Sequence, residues 1–210
     1  MADAKDPAYL TDAEGAACGF SARIDGLCLD PADLNALISR SRLARMRNVR
    51  RYDPLGAPVF VTVVCRDHRP LLNTARHKDV VRACLMRLRS DHAAKILAWV
   101  ILDDHVHLLL GAGQSDISTL VGKFKQCVLR ALFQPSIWQP RYFDHIIRDD
   151  DDLRAHMDYI HFNPRKHGYV VDPSDYEWSS MRRLVLRGFY AAGWGVTEEP
   201  ATIVDGTGSE

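Results

Sequence analysis

The stretch Ala98-Trp99-Val100-Ile101-Leu102-Asp103-Asp104-His105-Val106-His107-Leu108-Leu109-Leu110 limits what this chain can fold into more than any other. Two short apolar runs flank a pair of aspartates, and each run has strand length rather than helix length. A link as short as Asp103-Asp104 can join only antiparallel neighbours. Successive side chains of a strand point to opposite faces, so His105 and His107 share one face while Val106, Leu108 and Leu110 take the other. Two imidazoles so placed can grip one metal ion if a third ligand arrives from elsewhere. A His-x-His pair is also a common structural feature, and the strand alone leaves both readings open. Beside the acidic turn, the pair is expected where the margin of the sheet meets solvent.

The rest of the pattern supplies the fold. Val59 to Cys65 is β-branched and aromatic, as strands are. Val80, Val81, Cys84, Leu85 and Leu88 recur at helical spacing between about residues 74 and 90. Lys95 to Leu102 and His105 to Leu110 are the paired strands. Ser115-Asp116 caps a helix with Ile117, Leu120, Val121, Phe124 and Val128 on one side. Phe143 to Arg148 makes a fourth strand. Acids at Asp149 to Asp152 suit a helix start, and Pro164 is expected to end that helix at Asn163. This order is that of an α+β, ferredoxin-like split β-α-β antiparallel sheet with helices on one face, plus a C-terminal helix bearing Tyr159. Residues 1–46 read as an N-terminal extension, partly helical from Asp30-Pro31 and ending Arg-rich; 47–195 as the main domain; 196–210 as a polar tail.

Charge decides little globally. Lys and Arg number 27, Asp and Glu also 27, which argues against a blanket electrostatic attraction to nucleic acid. It does not exclude a local one, because Arg40, Arg42, Arg45, Arg47, Arg50 and Arg51 crowd one segment, either as a phosphate-contacting arm or as a solvated helix face. The five cysteines, Cys18, Cys28, Cys65, Cys84 and Cys127, contain no C-x-x-C pair, which implies a reducing compartment without structural disulfides. With no signal-peptide pattern and no run of membrane-spanning length, a cytoplasmic protein is expected.

Tyr159 and Asn163 are four residues apart on the late helix, with His156 three before the tyrosine, so they are neighbours on one side. Leu153, Met157 and Ile160 can dock that helix on the sheet. An amphipathic helix whose terminal asparagine caps itself has the same spacing. The residue types suggest more. An activated phenolate can attack a phosphodiester through a covalent intermediate. With a phenol pKa of about 10, attack at neutral pH needs help. A divalent ion held by His105, His107 and Asn163 would polarise the phosphate, and mixed N/O ligands suit Mg²⁺ or Mn²⁺, while zinc can also take them.

His105-Val106-His107 resembles the histidine–hydrophobe–histidine motif of HUH endonucleases. Trp138-Gln139-Pro140-Arg141-Tyr142-Phe143-Asp144-His145 and Asp158-Tyr159-Ile160-His161-Phe162-Asn163-Pro164-Arg165-Lys166-His167-Gly168 resemble the C-terminal half of REP-associated tyrosine transposases, relatives of the single-tyrosine IS200/IS605 type. Arg51-Tyr52-Asp53-Pro54-Leu55-Gly56 and Asp175-Tyr176-Glu177-Trp178-Ser179-Ser180 fit the same family, so the likeness spans roughly Arg47 to Trp194. It departs at Ala57-Pro58-Val59, where bulkier aromatics are frequent, and over the first forty or so residues.

The resemblance implies a metal-dependent endonuclease and transposase that nicks and rejoins single-stranded DNA at hairpin-forming palindromic repeats. It casts Tyr159 as nucleophile, leaving a 5′-phosphotyrosine and a free 3′ hydroxyl, and His105, His107 and Asn163 as metal ligands. The alternatives are a domesticated hairpin-DNA-binding protein that does not cut, and a hydrolase that activates water. Arg50, Arg51, Lys123, Lys125, Trp138, Arg141, Arg165 and Lys166 are candidate DNA contacts, with core packing or ion pairing as their competing uses. Single-stranded or hairpin DNA is the expected partner, no membrane is, and the sequence leaves monomer or homodimer open.

Overall fold

The computed structural model describes residues 57–92, 94–111, 116–197 and 199–200. The N-terminal extension with Arg50 and Arg51, and the polar tail from 201, therefore lie outside the described residues. In chain order come β1 (Val59–Val64), α1 (Ala75–His92), β2 (Ile96–Ile101), β3 (His105–Leu110), α2 (Ile117–Ala131), β4 (Phe143–Ile146), α3 (Asp150–Lys166) and a short α4 (Met181–Leu186). The four strands form one antiparallel sheet in the order β2-β3-β1-β4. That is the strand order a split β-α-β unit produces, as element order predicts.

Register sorts the side chains. Val61 faces Leu108 and Val63 faces Val106, while Phe60 faces Leu109 and Thr62 faces His107. Period-two alternation sends the first set to a core shared with Val81, Leu85, Leu120 and Phe124, where α1 and α2 cover the sheet. The second set meets Leu153, Met157 and Ile160 of α3 on the opposite side. The crossover helices thus occupy one face as expected, and the late helix seals the other. The free edge of β2 is covered as well: Ile101 donates its N–H to Trp178 O, Trp99 to Ser180 Oγ, and Ser180 returns its N–H to Trp99 O. A covered edge offers no template to another chain.

Two local expectations change. The solvent expected at the start of β3 reaches only His105, which opens the strand and is half-buried, whereas His107 is only 2% exposed. Pro164 does not end its helix. It lies in the last turn of α3, where its missing N–H leaves a single helical bond unmade. The true stop is Gly168, at φ 73°, with Gly168 N–H on Arg165 O (2.8 Å) and Tyr169 N–H on Pro164 O (2.9 Å). This paired C-terminal closure favours glycine, the residue that enters left-handed φ without strain. The extra turn carries Lys166 and His167 past the asparagine, which is therefore no self-capping terminus. α2 starts as read, with Asp116 accepting the Thr119 N–H. Cys65, Cys84 and Cys127 are free thiols, and no helix among the described residues is long and apolar enough to cross a membrane.

Candidate active site

His105 opens β3 and His107 follows two residues on, their ring centroids 4.6 Å apart. His107 Nδ1 is 2.9 Å from Thr62 Oγ1 on the neighbouring strand, which fixes the ring. Its other nitrogen, Nε2, is buried with no hydrogen-bond partner. Burial, and then the nearby His105, His167 and Lys166, hold the His107 pKa well below the usual imidazole range, so the ring is neutral and keeps a lone pair. His105 Nδ1 is 2.6 Å from Asp104 Oδ1. Burial alone would raise that carboxyl, but the bond to His105 and its charge bring Asp104 below its ordinary value. An anionic partner on Nδ1 directs the other nitrogen of the ring outward as a donor of electron density.

The turn before His105 is anchored from behind. Lys78 of α1, itself buried, sits 2.7 Å from Asp103 Oδ1 and donates to Tyr176 Oη at 2.9 Å, under the rings of Tyr169 and Trp178. Tyr176 Oη in turn donates to Ile101 O at 2.8 Å.

α3 brings the remaining groups. Asn163 is fully buried, its Nδ2 reaches the Tyr159 carbonyl at 3.4 Å, and its Oδ1 has no partner. The Tyr159 ring lies edge-on to His107 at 5.1 Å and to Phe60 at 5.9 Å, is 5% exposed, and has Lys166 Nζ 5.5 Å from its centroid. Phenol and imidazoles thus come from distant parts of the chain into one cluster. Sequence reading missed His167, whose ring is 5.6 Å from His105. Burial and the nearness of His105 lower its pKa, with Asp104 opposing. The signal available was Gly168, whose left-handed cap marks a helix running past Pro164.

Several expected DNA contacts have other duties. Trp138 is buried in the core, 5.9 Å from Phe124, not presented as a stacking platform. Lys125 Nζ donates to the carbonyls of Gln139, Pro140 and Arg141, tying down the loop before β4, and burial lowers its pKa. Arg165 donates to Val171 O and Val196 O. Lys123, near His92 at 3.3 Å, stands on the α1/α2 side, across the sheet from His105. Arg141 and Lys166 are exposed.

A family model described as "Transposase IS200 like" matches residues 59–163, a span that runs from the first residue of β1 to Asn163 and takes in both histidines and the tyrosine. The chain belongs to the IS200-like transposase family. This tyrosine transposase is 37% identical over 151 residues to the REP-associated tyrosine transposase of Escherichia coli K12, covering 71% of this chain and 91% of that protein. The solved structure of a REP-associated tyrosine transposase bound to a REP hairpin superposes with a TM-score of 0.63 at 35% identity, over 75% of this chain and 96% of that one. The last turn of α3, with Lys166 and His167, lies beyond the span that the family model matches.

Proposed function

We propose that this transposase is a metal-dependent single-stranded DNA endonuclease that nicks and rejoins DNA beside hairpin-forming palindromic repeats through a 5′-phosphotyrosine at Tyr159. The observation that carries the reading is the pair of buried polar atoms left without partners, His107 Nε2 and Asn163 Oδ1, in the cluster that holds Tyr159. A buried polar atom without a hydrogen bond costs about 1–3 kcal/mol, and a bound cation removes that cost at both positions. With His105, these atoms would make an N/N/O ligand set, which suits Mg²⁺ or Mn²⁺. When bound, the ion would polarise the scissile phosphate and neutralise charge on the leaving oxygen.

The residues of this chain do the rest. The Tyr159 oxygen bonds to phosphorus as the bond from phosphorus to the 3′ oxygen breaks; the phenol proton goes to solvent, and the 3′ oxygen leaves to become a hydroxyl. Attack of that hydroxyl, or of another 3′ end, on the phosphotyrosine reverses the step and rejoins the strand. Lys166, exposed and with its Nζ 5.5 Å from the centre of the Tyr159 ring, is the cation that would face the phosphate. Thr62 and Asp104 hold the two imidazoles in the orientation the ion needs. Hairpin DNA is the partner this reading assigns, by analogy with the hairpin-bound structural relative.

Incubation with Mn²⁺ and an oligonucleotide carrying a repeat hairpin from beside the gene is expected to give a covalent adduct. The adduct disappears in Tyr159→Phe, while hairpin affinity stays within twofold. The burial of Tyr159 favours a second reading, a hairpin binder that does not cut. Tight metal-independent hairpin binding with no adduct from the wild type would select it.

A further inference from the structure

In the first turn of α3, Asp152 is 7% exposed, yet its carboxylate gathers three donors. His145 Nε2 of β4 lies 2.9 Å from Oδ2; the Arg148 backbone N–H and Nε donate to the same oxygen at 3.0 and 3.1 Å. His156 Nδ1 is 3.0 Å from Oδ1 and 2.8 Å from the Asp152 carbonyl. Burial would raise this carboxyl, but the bonds from His145 and Arg148 bring it down to about 2. Burial lowers the His156 pKa despite the carboxylate, and its Nδ1 hydrogen-bonds to the Asp152 carbonyl with Oδ1 close beside it.

His145, Asp152 and His156 have the composition of a metal site, with ligand atoms all within 4.8 Å of one another. Their chemistry differs from that of the His107–Asn163 pair. Here Oδ2 of the carboxylate already takes His145 and two Arg148 donors, and Arg148 supplies the positive charge a cation would bring. The cluster also leads somewhere. The His156 ring stacks on His145 at 4.6 Å and leans on Phe60 at 4.8 Å; Phe60 in turn lies 5.4 Å from His107 and 5.9 Å from Tyr159. One carboxylate therefore fixes the junction of β4 with α3 and, through His156, the ring against which His107 and Tyr159 both rest.

We propose that Asp152 is a positioning residue for the nucleophile: it clamps the start of α3 to β4 through His145 and Arg148 and seats Tyr159 against His107 through His156 and Phe60. This rests on Tyr159 being the nucleophile. Misplacing a reacting group by about 1 Å costs on the order of 100-fold, so the clamp acts on rate rather than on affinity.

The test is single-turnover adduct formation by the full chain at saturating hairpin oligonucleotide with Mn²⁺, alongside hairpin affinity and circular dichroism. Asp152→Asn and His145→Leu are expected to lower the rate at least tenfold with affinity within twofold. His145→Gln keeps a donor toward Asp152 and is expected to stay within threefold of the wild-type rate. An unchanged rate in Asp152→Asn and His145→Leu overturns the proposal. So does a fall in rate and affinity together that tracks lost folded protein. Zinc retained at one equivalent by a His105→Ala/His107→Ala protein, and lost on adding Asp152→Asn, would make the cluster an ion site and likewise overturn it. A wild-type protein that forms no adduct fails the nucleophile reading instead.

Discussion

Leu108 and His107 are neighbours on β3 and both are almost completely buried, but they face different neighbours. Leu108 points into the core under α1 and α2, a cluster of aliphatic and aromatic side chains in which a close-packed arrangement of similar volume would serve. His107 points toward α3, into a core that also holds Thr62, His156, Tyr159 and Asn163. On the first face burial is its own reward. On the second, polar atoms are buried under constraint: Thr62 fixes one nitrogen of His107, and the other is left unmet. One sheet thus carries a face that stabilises and a face that holds chemistry in place, and the alternation of a strand keeps them separate.

That contrast is most sharply broken at these two residues. His107→Gln, similar in volume, is expected to change stability by about 1 kcal/mol or less. It should lower adduct formation by about 100-fold or more, because an ion's contribution of several kcal/mol is lost. Leu108→Ala should do the reverse, costing about 2–5 kcal/mol of stability while the surviving folded protein keeps its adduct rate. Denaturant melts paired with single-turnover assays check both, and equal activity losses at equal stability losses would erase the distinction.

A smaller effect follows from the partner of His107. Thr62→Val keeps the shape of the strand residue and removes the oxygen 2.9 Å from Nδ1. Affinity for Mn²⁺, measured by titration calorimetry, is expected to fall by about 10–100-fold, and denaturant melts should show a loss of about 1–3 kcal/mol for the buried Nδ1 left without a partner.

The smallest effect at neutral pH, and one that grows on acidification, belongs to His161 of α3. This ring is fully buried, against Ser180 Oγ at 2.8 Å and Tyr190 Oη at 3.1 Å. Burial, with the Arg183 charge adding to it against a backbone hydrogen bond, lowers its pKa from 6.5 to about 3. Between those values the unfolded chain takes up a proton that the folded chain refuses, so stability falls as pH drops. The loss approaches about 1.4 kcal/mol per pH unit for this group. Urea melts from pH 7 to 4 should show a shallower slope in His161→Gln than in the wild type, and identical slopes would remove His161 from the account.

What could be read from the residues was local. Alternation around Asp103-Asp104 gave the hairpin and the shared side of His105 and His107, and helical spacing gave α1, α2 and the docking stripe of α3, because side-chain direction follows from backbone period alone. Element order was enough for the ferredoxin-like sheet, since few connections of that order are free of crossings or left-handed turns.

Tertiary structure decided what no period encodes. It buried His107 beneath α3, committed Trp138 and Lys125 to packing and loop closure, and carried α3 past Pro164 so that Lys166 and His167 join the cluster. It also gathered His145, Asp152 and His156, which read separately as a strand residue, a helix-start acid and a helix neighbour. Local conformation is set by each residue and its near neighbours, whereas contacts between distant elements depend on which faces find each other when the whole core closes.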